Sequence, residues 1–339
     1  MIDPAKALLG ASLLIAIAAI CFWPKIGLIW QWQKSKRNTQ KVLIEDALKH
    51  LHHQRYKGKP VTLESLSGAL EISRDHAAEV LVKLEKHGLI KSQQNEFELT
   101  EEGRLSALRI IRVHRLWERY FADETGLAET QWHPEAEKRE HITSLEEAEA
   151  LAMHMGNPFH DPHGDPIPTP TGELPPHKGK PLTDLPIGEM ARLIHLEDEP
   201  EALYAELVAQ GLYPGMQVRV VSKSSERIHF IADGEEIKLA PVVAANVTVL
   251  PLPHEHQMEG PFESLTALKM GEAGLVLSIS KACRGLQRRR LMDLGIIPGT
   301  VITAEFKSAS ANPTAYNIRG ALIALRKDQA NMVHIRRQI

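Results

Sequence analysis

Cysteine is scarce in this chain of 339 residues, where it occurs twice, as Cys21 and Cys283. Two distant cysteines exclude a disulfide framework and a cysteine-rich zinc site. A strong charge of either sign is also missing, because the formal net charge is -3 at pH 7. Any contact with nucleic acid must therefore come from a local basic patch and not from the whole molecule. Histidine, by contrast, is frequent, with 17 residues.

An apolar run without charged residues extends from Ala7 to Trp23. Its length, and the basic residues that follow between Lys34 and Lys41, predict a membrane-spanning helix within residues 1–33. The positive-inside rule then places the remaining domains in the cytoplasm, tethered to the inner membrane by a single pass. A cleaved signal peptide and a buried helix of a soluble domain are the alternatives that the residues leave open.

Three amphipathic segments and a turn-rich stretch come next. Residues 42–53 have helical periodicity. Residues 62–70 predict a short second helix with Thr62 as its N-cap, and residues 74–87 predict a third behind an N-cap at Ser73. Gly88 ends the third helix, and the stretch after it predicts two short strands. This order is typical of a winged helix-turn-helix, whose third helix enters the major groove of DNA.

The third predicted helix carries the candidate DNA contacts. Its first turn is best placed to reach base edges, and its later lysines could meet phosphates. The candidate DNA-binding residues are Ser73, Arg74, His76, Lys83 and Lys86. Acidic residues accompany them on the helix, so a winged helix that binds protein instead of DNA is the alternative.

Histidine and glutamate recur at helical spacing between residues 114 and 141. Positions three and four apart share one face of a helix, so His114 projects with Glu118, and Glu137 with Glu140 and His141. Converging carboxylates are costly unless they are paired or bind a cation, and these ligand types suit manganese, ferrous iron or zinc. The spacing alone leaves open a second interpretation, two surface helices whose acids and histidines face water.

Several motifs in this part of the chain resemble the diphtheria-toxin-repressor family of metal-dependent transcriptional regulators. They are Leu99-Thr100-Glu101-Glu102-Gly103-Arg104, His114-Arg115-Leu116-Trp117-Glu118, the run from His133 to His141, Gly156-Asn157-Pro158 and the run from Pro162 to Pro168. The resemblance covers residues 40–170 and implies a helical metal-binding and dimerisation domain after the winged helix. It implies an ancillary metal site of His114, Glu118 and His133. It also implies a primary site of Glu137, Glu140 and His141, to which the first helix adds Asp46.

Two residues depart from the family pattern. Glu137 stands where iron-responding members usually carry cysteine, and Lys49 stands where manganese-responding members carry a second acid. A ligand set of oxygen and nitrogen favours Fe²⁺ or Mn²⁺ and does not choose between them. The resemblance therefore implies one of these divalent ions as the cofactor, while Lys49 argues against a copied binuclear manganese site.

A proline-rich linker is followed by two copies of one module. Thr183 to Glu189 recurs as Thr266 to Glu272, and Gly211 to Gly215 recurs as Gly295 to Gly299. Each copy predicts short strands, such as residues 217–222, and so a small β-barrel. The copies resemble the FeoA-like SH3-type domain of ferrous-iron transport, the second more clearly than the first.

The resemblance also bears on residues outside the helical domain. In the family a single FeoA-like domain can lend the metal site a ligand, which makes the acids at residues 197–199 candidates, although a solvated loop is the favoured interpretation. His160 and His163 are interpreted as structural or solvated. Arg284 and residues 288–290 could contact DNA phosphates or an acidic partner, but a solvated helix face is favoured.

The predicted fold is a multidomain α+β chain with a transmembrane helix, a winged helix-turn-helix, an all-α metal-binding domain and two SH3-like small β-barrels. The predicted segments are a transmembrane anchor and flank (1–33), a winged helix-turn-helix (38–103), a helical metal-binding and dimerisation domain (104–170), a proline-rich linker (171–181) and two FeoA-like SH3-type domains (182–253 and 262–339).

The leading functional hypothesis is a membrane-tethered, metal-dependent transcriptional regulator that acts as a homodimer on a double-stranded DNA operator. The alternative is a membrane-anchored accessory protein that binds a ferrous-iron or manganese transporter through its FeoA-like domains. An enzyme is not expected, because no nucleophile, substrate pocket or phosphate-cradling loop accompanies the metal ligands. The operator and the direction of regulation stay open.

Overall fold

The computed structural model describes residues 40–93, 96–175, 179–253, 263–308 and 312–338. The chain divides into two compact units, Met1–Ile111 and Arg112–Ile339. Helix and sheet are combined in several domains, so the prediction of a mixed multidomain fold is correct in this respect.

Three helices and a hairpin form most of the described part of the first unit, which also includes the start of the helix that begins at Glu101. They are α1 (Gln40–Tyr56), α2 (Leu63–Ala69), α3 (Arg74–Lys86), β1 (Ile90–Gln93) and β2 (Glu96–Leu99). The N-cap predictions are confirmed, because the side chain of Thr62 accepts from Ser65 N–H and that of Ser73 from His76 N–H. Leucines of all three helices share one core, among them Leu51, Leu66 and Leu84. The sequence pattern thus predicted this unit's elements to within a few residues.

Three further helices carry the candidate metal ligands. They are α4 (Glu101–Glu124), α5 (Glu129–Glu140) and α6 (Leu145–His154). Two small apolar clusters hold them together, one around Leu116 and Ala148, the other around Phe121 and Trp132. Both clusters include residues of α4, which is therefore packed against α5 and α6.

Two six-stranded antiparallel sheets follow, one for each copy of the repeated module. The first module contains β3 (Lys180–Pro181), β4 (Met190–Leu196), α7 (Glu201–Ala209), β5 (Gln217–Lys223), β6 (Ile228–Ala232), β7 (Glu235–Leu239), α8 (Pro241–Ala244) and β8 (Val247–Pro251). The second contains β9 (Glu263–Ser264), β10 (Ala273–Ile279), α9 (Gly285–Asp293), β11 (Val301–Lys307), β12 (Thr314–Ile318), β13 (Ala321–Leu325), α10 (Lys327–Asn331) and β14 (Val333–Gln338). Their strand orders, β3-β8-β4-β5-β6-β7 and β9-β14-β10-β11-β12-β13, are the same arrangement, strand for strand. Each module has its own apolar core.

The predictions of a transmembrane helix in the fold and of an inner-membrane location are contradicted. Within the part of the chain that the structure describes, no helix is both long enough and apolar enough to cross a membrane. A crossing takes about 20 largely apolar residues, and even the longest of these helices, α4, begins with two glutamates and carries charges throughout. The residues of the predicted anchor, 1–33, lie outside the described residues.

Candidate metal centre

A buried group of three side chains forms the centre of the site. Helix α4 places His114 and Glu118 one turn apart on the same face, with 6% and 1% of their surface exposed. His133 of α5 faces both. One carboxylate oxygen of Glu118 lies 2.9 Å from His114 Nε2 and 3.0 Å from His133 Nδ1, and these two ring nitrogens are 3.1 Å apart. The structure therefore brings together the three residues of the predicted ancillary site.

Glu140, the last residue of α5, contacts two histidines. Its Oε2 lies 2.5 Å from His114 Nδ1, and its Oε1 lies 3.2 Å from His141 Nε2. A carboxylate that accepts from Nδ1–H fixes the imidazole tautomer and orients Nε2 toward a metal. Glu140 thus supports His114 from behind, on the side away from Glu118.

The other predicted ligands have different surroundings. Glu137 lies at the edge of the central group of His114, Glu118 and His133, because its side chain is 44% exposed and its Oε1 is 3.7 Å from His133 Nε2. Asp46 is half-buried on α1, in the first unit. The assignment of Asp46, Glu137, Glu140 and His141 as a primary site stays a prediction.

Two residues that the sequence analysis did not favour as ligands adjoin the central group. His163 is 1% exposed, and neither of its ring nitrogens has a hydrogen-bond partner. Its Nδ1 lies 3.8 Å from Glu118 Oε2 and 3.6 Å from Asp198 Oδ2. Asp198, from the segment after β4, also reaches His133, with Oδ2 3.1 Å from Nδ1. Glu118 therefore belongs to two groups of potential ligands.

Packing of the proline-rich loop against the first of the two repeated modules explains the burial of His163. A Cβ atom at Gly164, where φ is +102°, would lie 1.9 Å from the carbonyl oxygen of Ile194, so only glycine allows this approach. The backbone N–H of Leu196 donates to the carbonyl of His163 at 2.9 Å. The sequence feature that could have indicated an ordered loop is the Pro-His-Gly-Asp-Pro run, because its prolines restrict the backbone. This run does not indicate which segment the loop packs against.

A buried arginine balances part of the negative charge around the site. Arg115 Nη1 donates to the carbonyl of Pro166 at 2.7 Å. Its Nε is 3.6 Å from Asp161, and its Nη2 is 3.3 Å from Asp165. Burial favours the neutral acid, but Arg115 and His195 hold the pKa of Asp165 well below its usual range. This network fixes the loop that carries His163.

The protonation states follow from the same contacts. Burial disfavours the charged form of Glu118, yet His114 and His163 hold the pKa of its carboxyl well below the usual range. Burial likewise opposes charge on His133, but hydrogen bonds to Asp198 and Glu118 raise the pKa of its imidazole well above the usual range. The carboxylates of Asp198 and Glu118 thus stabilise a positive charge at this position, which protonated His133 or a bound cation can supply.

The donor set fits a divalent metal. Its atoms are imidazole nitrogens and carboxylate oxygens without sulfur, which suits iron and manganese. The two buried ring nitrogens of His163 that have no hydrogen-bond partner point to the same conclusion, because an unsatisfied buried polar atom is costly.

The predicted DNA-binding residues lie on or next to α3 in the first unit. Ser73 is the N-cap, and Arg74, His76 and Lys86 are exposed, whereas Lys83 is half-buried. These residues are accessible on one helix, and their role stays a prediction.

Two family models match the chain. The model described as iron dependent repressor, metal binding and dimerisation domain matches residues 100–169, and the FeoA domain model matches residues 180–251 and 263–337. These residues define the first and second FeoA modules.

Several relatives are named as repressors. The iron-dependent repressor IdeR of Mycobacterium leprae (strain TN) is 30% identical over 200 residues, which are 55% of this chain and 81% of the relative. The diphtheria toxin repressor of Corynebacterium glutamicum is 30% identical over 192 residues, 53% of this chain and 83% of the relative. A manganese-dependent transcriptional repressor, solved in complex with manganese, has a TM-score of 0.56 at 26% identity and covers 61% of this chain and 100% of its own. The chain therefore belongs to the diphtheria-toxin-repressor family of metal-dependent transcriptional regulators, with two FeoA modules and with divalent iron or manganese as its cofactor.

Proposed function

We propose that this chain is an iron- or manganese-dependent DNA-binding repressor that controls metal-ion homeostasis as a homodimer. The observation that carries the proposal is the convergence of His114, Glu118 and His133 from two helices with Asp198 from the first FeoA module. The relatives named as iron-dependent and manganese-dependent repressors support the choice of ions.

Four residues would hold an ion at the centre of the site: His114, Glu118, His133 and Asp198. His163 is a further ligand beside Glu118 and Asp198, in a position suited to a second ion. A bound divalent ion supplies positive charge that joins side chains from α4, α5 and the segment after β4. Glu140 orients His114 through Nδ1.

The predicted primary set of Asp46, Glu137, Glu140 and His141 remains part of the proposal. In that set Glu140 would serve two roles, since it also contacts His114.

Helix α3 is the proposed recognition helix. Arg74 and His76 would reach base edges from its first turn, and Lys83 and Lys86 would contact phosphates. In a two-fold dimer, two copies of α3 would meet two half-sites of an operator. The match to a dimerisation domain over residues 100–169 supports the dimer.

Control by metal follows from linkage. An ion that binds the DNA-competent conformation more tightly shifts the population toward it, and DNA in turn tightens the binding of the ion. The helix that carries His114 and Glu118 begins at Glu101, directly after the wing. The alternative of an accessory protein for a transporter came from the predicted anchor together with the tandem FeoA-like modules, and it is not retained.

Selection of DNA from a random duplex pool tests this function. We expect the full chain to enrich a two-fold symmetric sequence in the presence of Mn²⁺ or, without oxygen, Fe²⁺, and to enrich none with a chelator. The matched variant His133→Gln should need a higher metal concentration for the same enrichment. Enrichment of the same sequence in chelator would contradict the proposal, and so would no enrichment in any condition.

A further inference from the structure

The two FeoA modules differ at the position that serves the metal centre. The backbone N–H of Glu197 after β4 and that of Ser280 after β10 each donate to a carbonyl just before the last strand of their module. The next residue is Asp198 in the first module and Lys281 in the second. The second module therefore cannot offer a carboxylate there. Instead, Lys281 lies against the first module, with its side chain 3.5 Å from where a Cβ of Gly215 would be.

The segment that follows Lys281 contacts the end of α4. The backbone N–H of Leu286 donates to the carbonyl of Thr125 at 3.4 Å. A Cβ atom at Gly285, where φ is +52°, would lie 2.1 Å from that same carbonyl oxygen, so a glycine is needed for this approach. Arg289 forms an ion pair with Glu124. Two backbones thus meet closely, and a charge pair flanks them.

Arg284 fills the space between this contact and the metal centre, with its side chain 17% exposed. Its Nη2 is 3.5 Å from the carbonyl oxygen of Pro162, and its Nη1 is 4.0 Å from Asp123. Its guanidinium lies 5.9 Å from the centre of the Trp132 ring. A buried arginine is costly unless it is paired, so the loop carbonyl, the acid and the aromatic face together account for its position.

The groups that Arg284 contacts also surround His163. Pro162 precedes His163 in the loop. The ring centroids of Trp132 and His163 are 6.1 Å apart, and Tyr204 of α7 packs edge-on against His163 at 4.8 Å. A continuous layer therefore runs from the second FeoA module through Arg284 to the imidazole of His163.

We propose that the second FeoA module is a clamp on the metal centre, and that Arg284 is its positioning residue. It holds the Pro162 carbonyl and the Trp132 ring, and through them it positions His163 to face Glu118. This proposal rests on the proposed function, because it assigns His163 and Asp198 as ligands. Arg284, the N-cap of α9, therefore contacts the loop and Trp132, whereas the sequence analysis interpreted it as part of a solvated helix face.

The test measures Co²⁺ binding to the full chain, with the visible absorption of the bound ion as the signal. We expect Arg284→Met to weaken Co²⁺ affinity by about tenfold, the lower end of what loss of a group supporting a metal ligand costs, and to change the absorption spectrum. Arg284→Lys keeps the charge but not the planar guanidinium that reaches Pro162, Asp123 and Trp132, and should therefore restore only part of the lost affinity. The control is Arg290→Met, at an exposed arginine of α9, the helix that Arg284 precedes as N-cap; this variant should bind as wild type does.

Wild-type affinity and spectrum in Arg284→Met would overturn the clamp. If that variant does not fold, exchanging the charges of the Glu124–Arg289 ion pair tests the proposal instead. Glu124→Arg should weaken Co²⁺ binding, and adding Arg289→Glu should restore it. Unchanged affinity in Glu124→Arg would overturn the proposal. Failure of the wild type to bind any metal would instead overturn the proposed function itself.

Discussion

Asp198 Oδ2 lies 3.1 Å from His133 Nδ1, which joins the first FeoA module to the helical metal-binding region. Burial opposes ionisation of Asp198, yet His163 and His133 hold the pKa of its carboxyl well below the usual range. The carboxylate is therefore charged at neutral pH and available to a cation.

The first prediction concerns this carboxylate. Asp198→Asn removes one negative charge and should weaken Mn²⁺ binding by about a hundredfold, the upper end of what loss of a partner at a metal site costs. Isothermal titration calorimetry measures the affinity. Glu206→Gln, an exposed acid on α7, is the matched control and should leave it unchanged. Equal affinities of Asp198→Asn and wild type would show that the first module lends no ligand.

The second prediction separates stability from metal binding at His163. Phenylalanine can occupy the same apolar surroundings without burying two nitrogens that have no hydrogen-bond partner. His163→Phe should therefore leave the metal-free protein as stable as wild type, or more stable by about 1 kcal/mol, while its affinity for Mn²⁺ falls. Urea unfolding of the metal-free protein and calorimetry with Mn²⁺ give the two quantities. Loss of stability with unchanged affinity would mean that His163 is structural.

The third prediction is proton release. His133 has a pKa raised above its usual range by Asp198 and Glu118, against the effect of burial. It is therefore protonated at pH 7 in the metal-free protein, and it must lose that proton to ligate an ion. Metal affinity should rise with pH, by about tenfold per pH unit for one proton released. Calorimetry in two buffers with different ionisation enthalpies counts the protons, and a count of zero would contradict this account.

The fourth prediction concerns the ion pair between Arg115 and Asp165. Asp165→Asn leaves a buried arginine with one acidic partner fewer and should lower the unfolding free energy at pH 7 by about 3 kcal/mol. The pKa of Asp165 is depressed in the folded protein. The extra stability of wild type over Asp165→Asn is therefore present above about pH 4, near the usual pKa of an aspartate, and is lost as the pH falls further. Urea midpoints at several pH values measure it. The exposed Asp184→Asn is the control, and a difference that persists unchanged at pH 2 would contradict the assignment.

Local signals made part of this structure predictable from sequence. Ser73 and Thr62 were identified as caps because a cap depends on residues within one turn. His114 and Glu118 were paired because one helix sets their separation. His133 joined them through a resemblance to known repressors, since spacing does not tell how two helices pack.

Contacts between distant segments were not predictable in the same way. The position of His163 depends on the approach of Gly164 to the carbonyl of Ile194 on β4, and no periodic pattern encodes it. Likewise, Arg284 was interpreted as part of a solvated face because its contact with the Pro162 carbonyl spans 122 residues of sequence. Such contacts follow from the packing of modules, for which the sequence offers no local signal.

Control of DNA binding by the bound ion can be measured directly as metal-dependent DNA affinity. Fluorescence anisotropy of a labelled duplex from the selected pool is followed while Mn²⁺ is added to wild type, to His133→Gln and to Arg74→Ala. We predict that wild type binds the duplex tightly with metal and not at all with chelator. His133→Gln should need a higher Mn²⁺ concentration for the same binding, and Arg74→Ala should bind more weakly at every Mn²⁺ concentration. Equal DNA affinity of wild type with Mn²⁺ and with chelator would contradict this prediction.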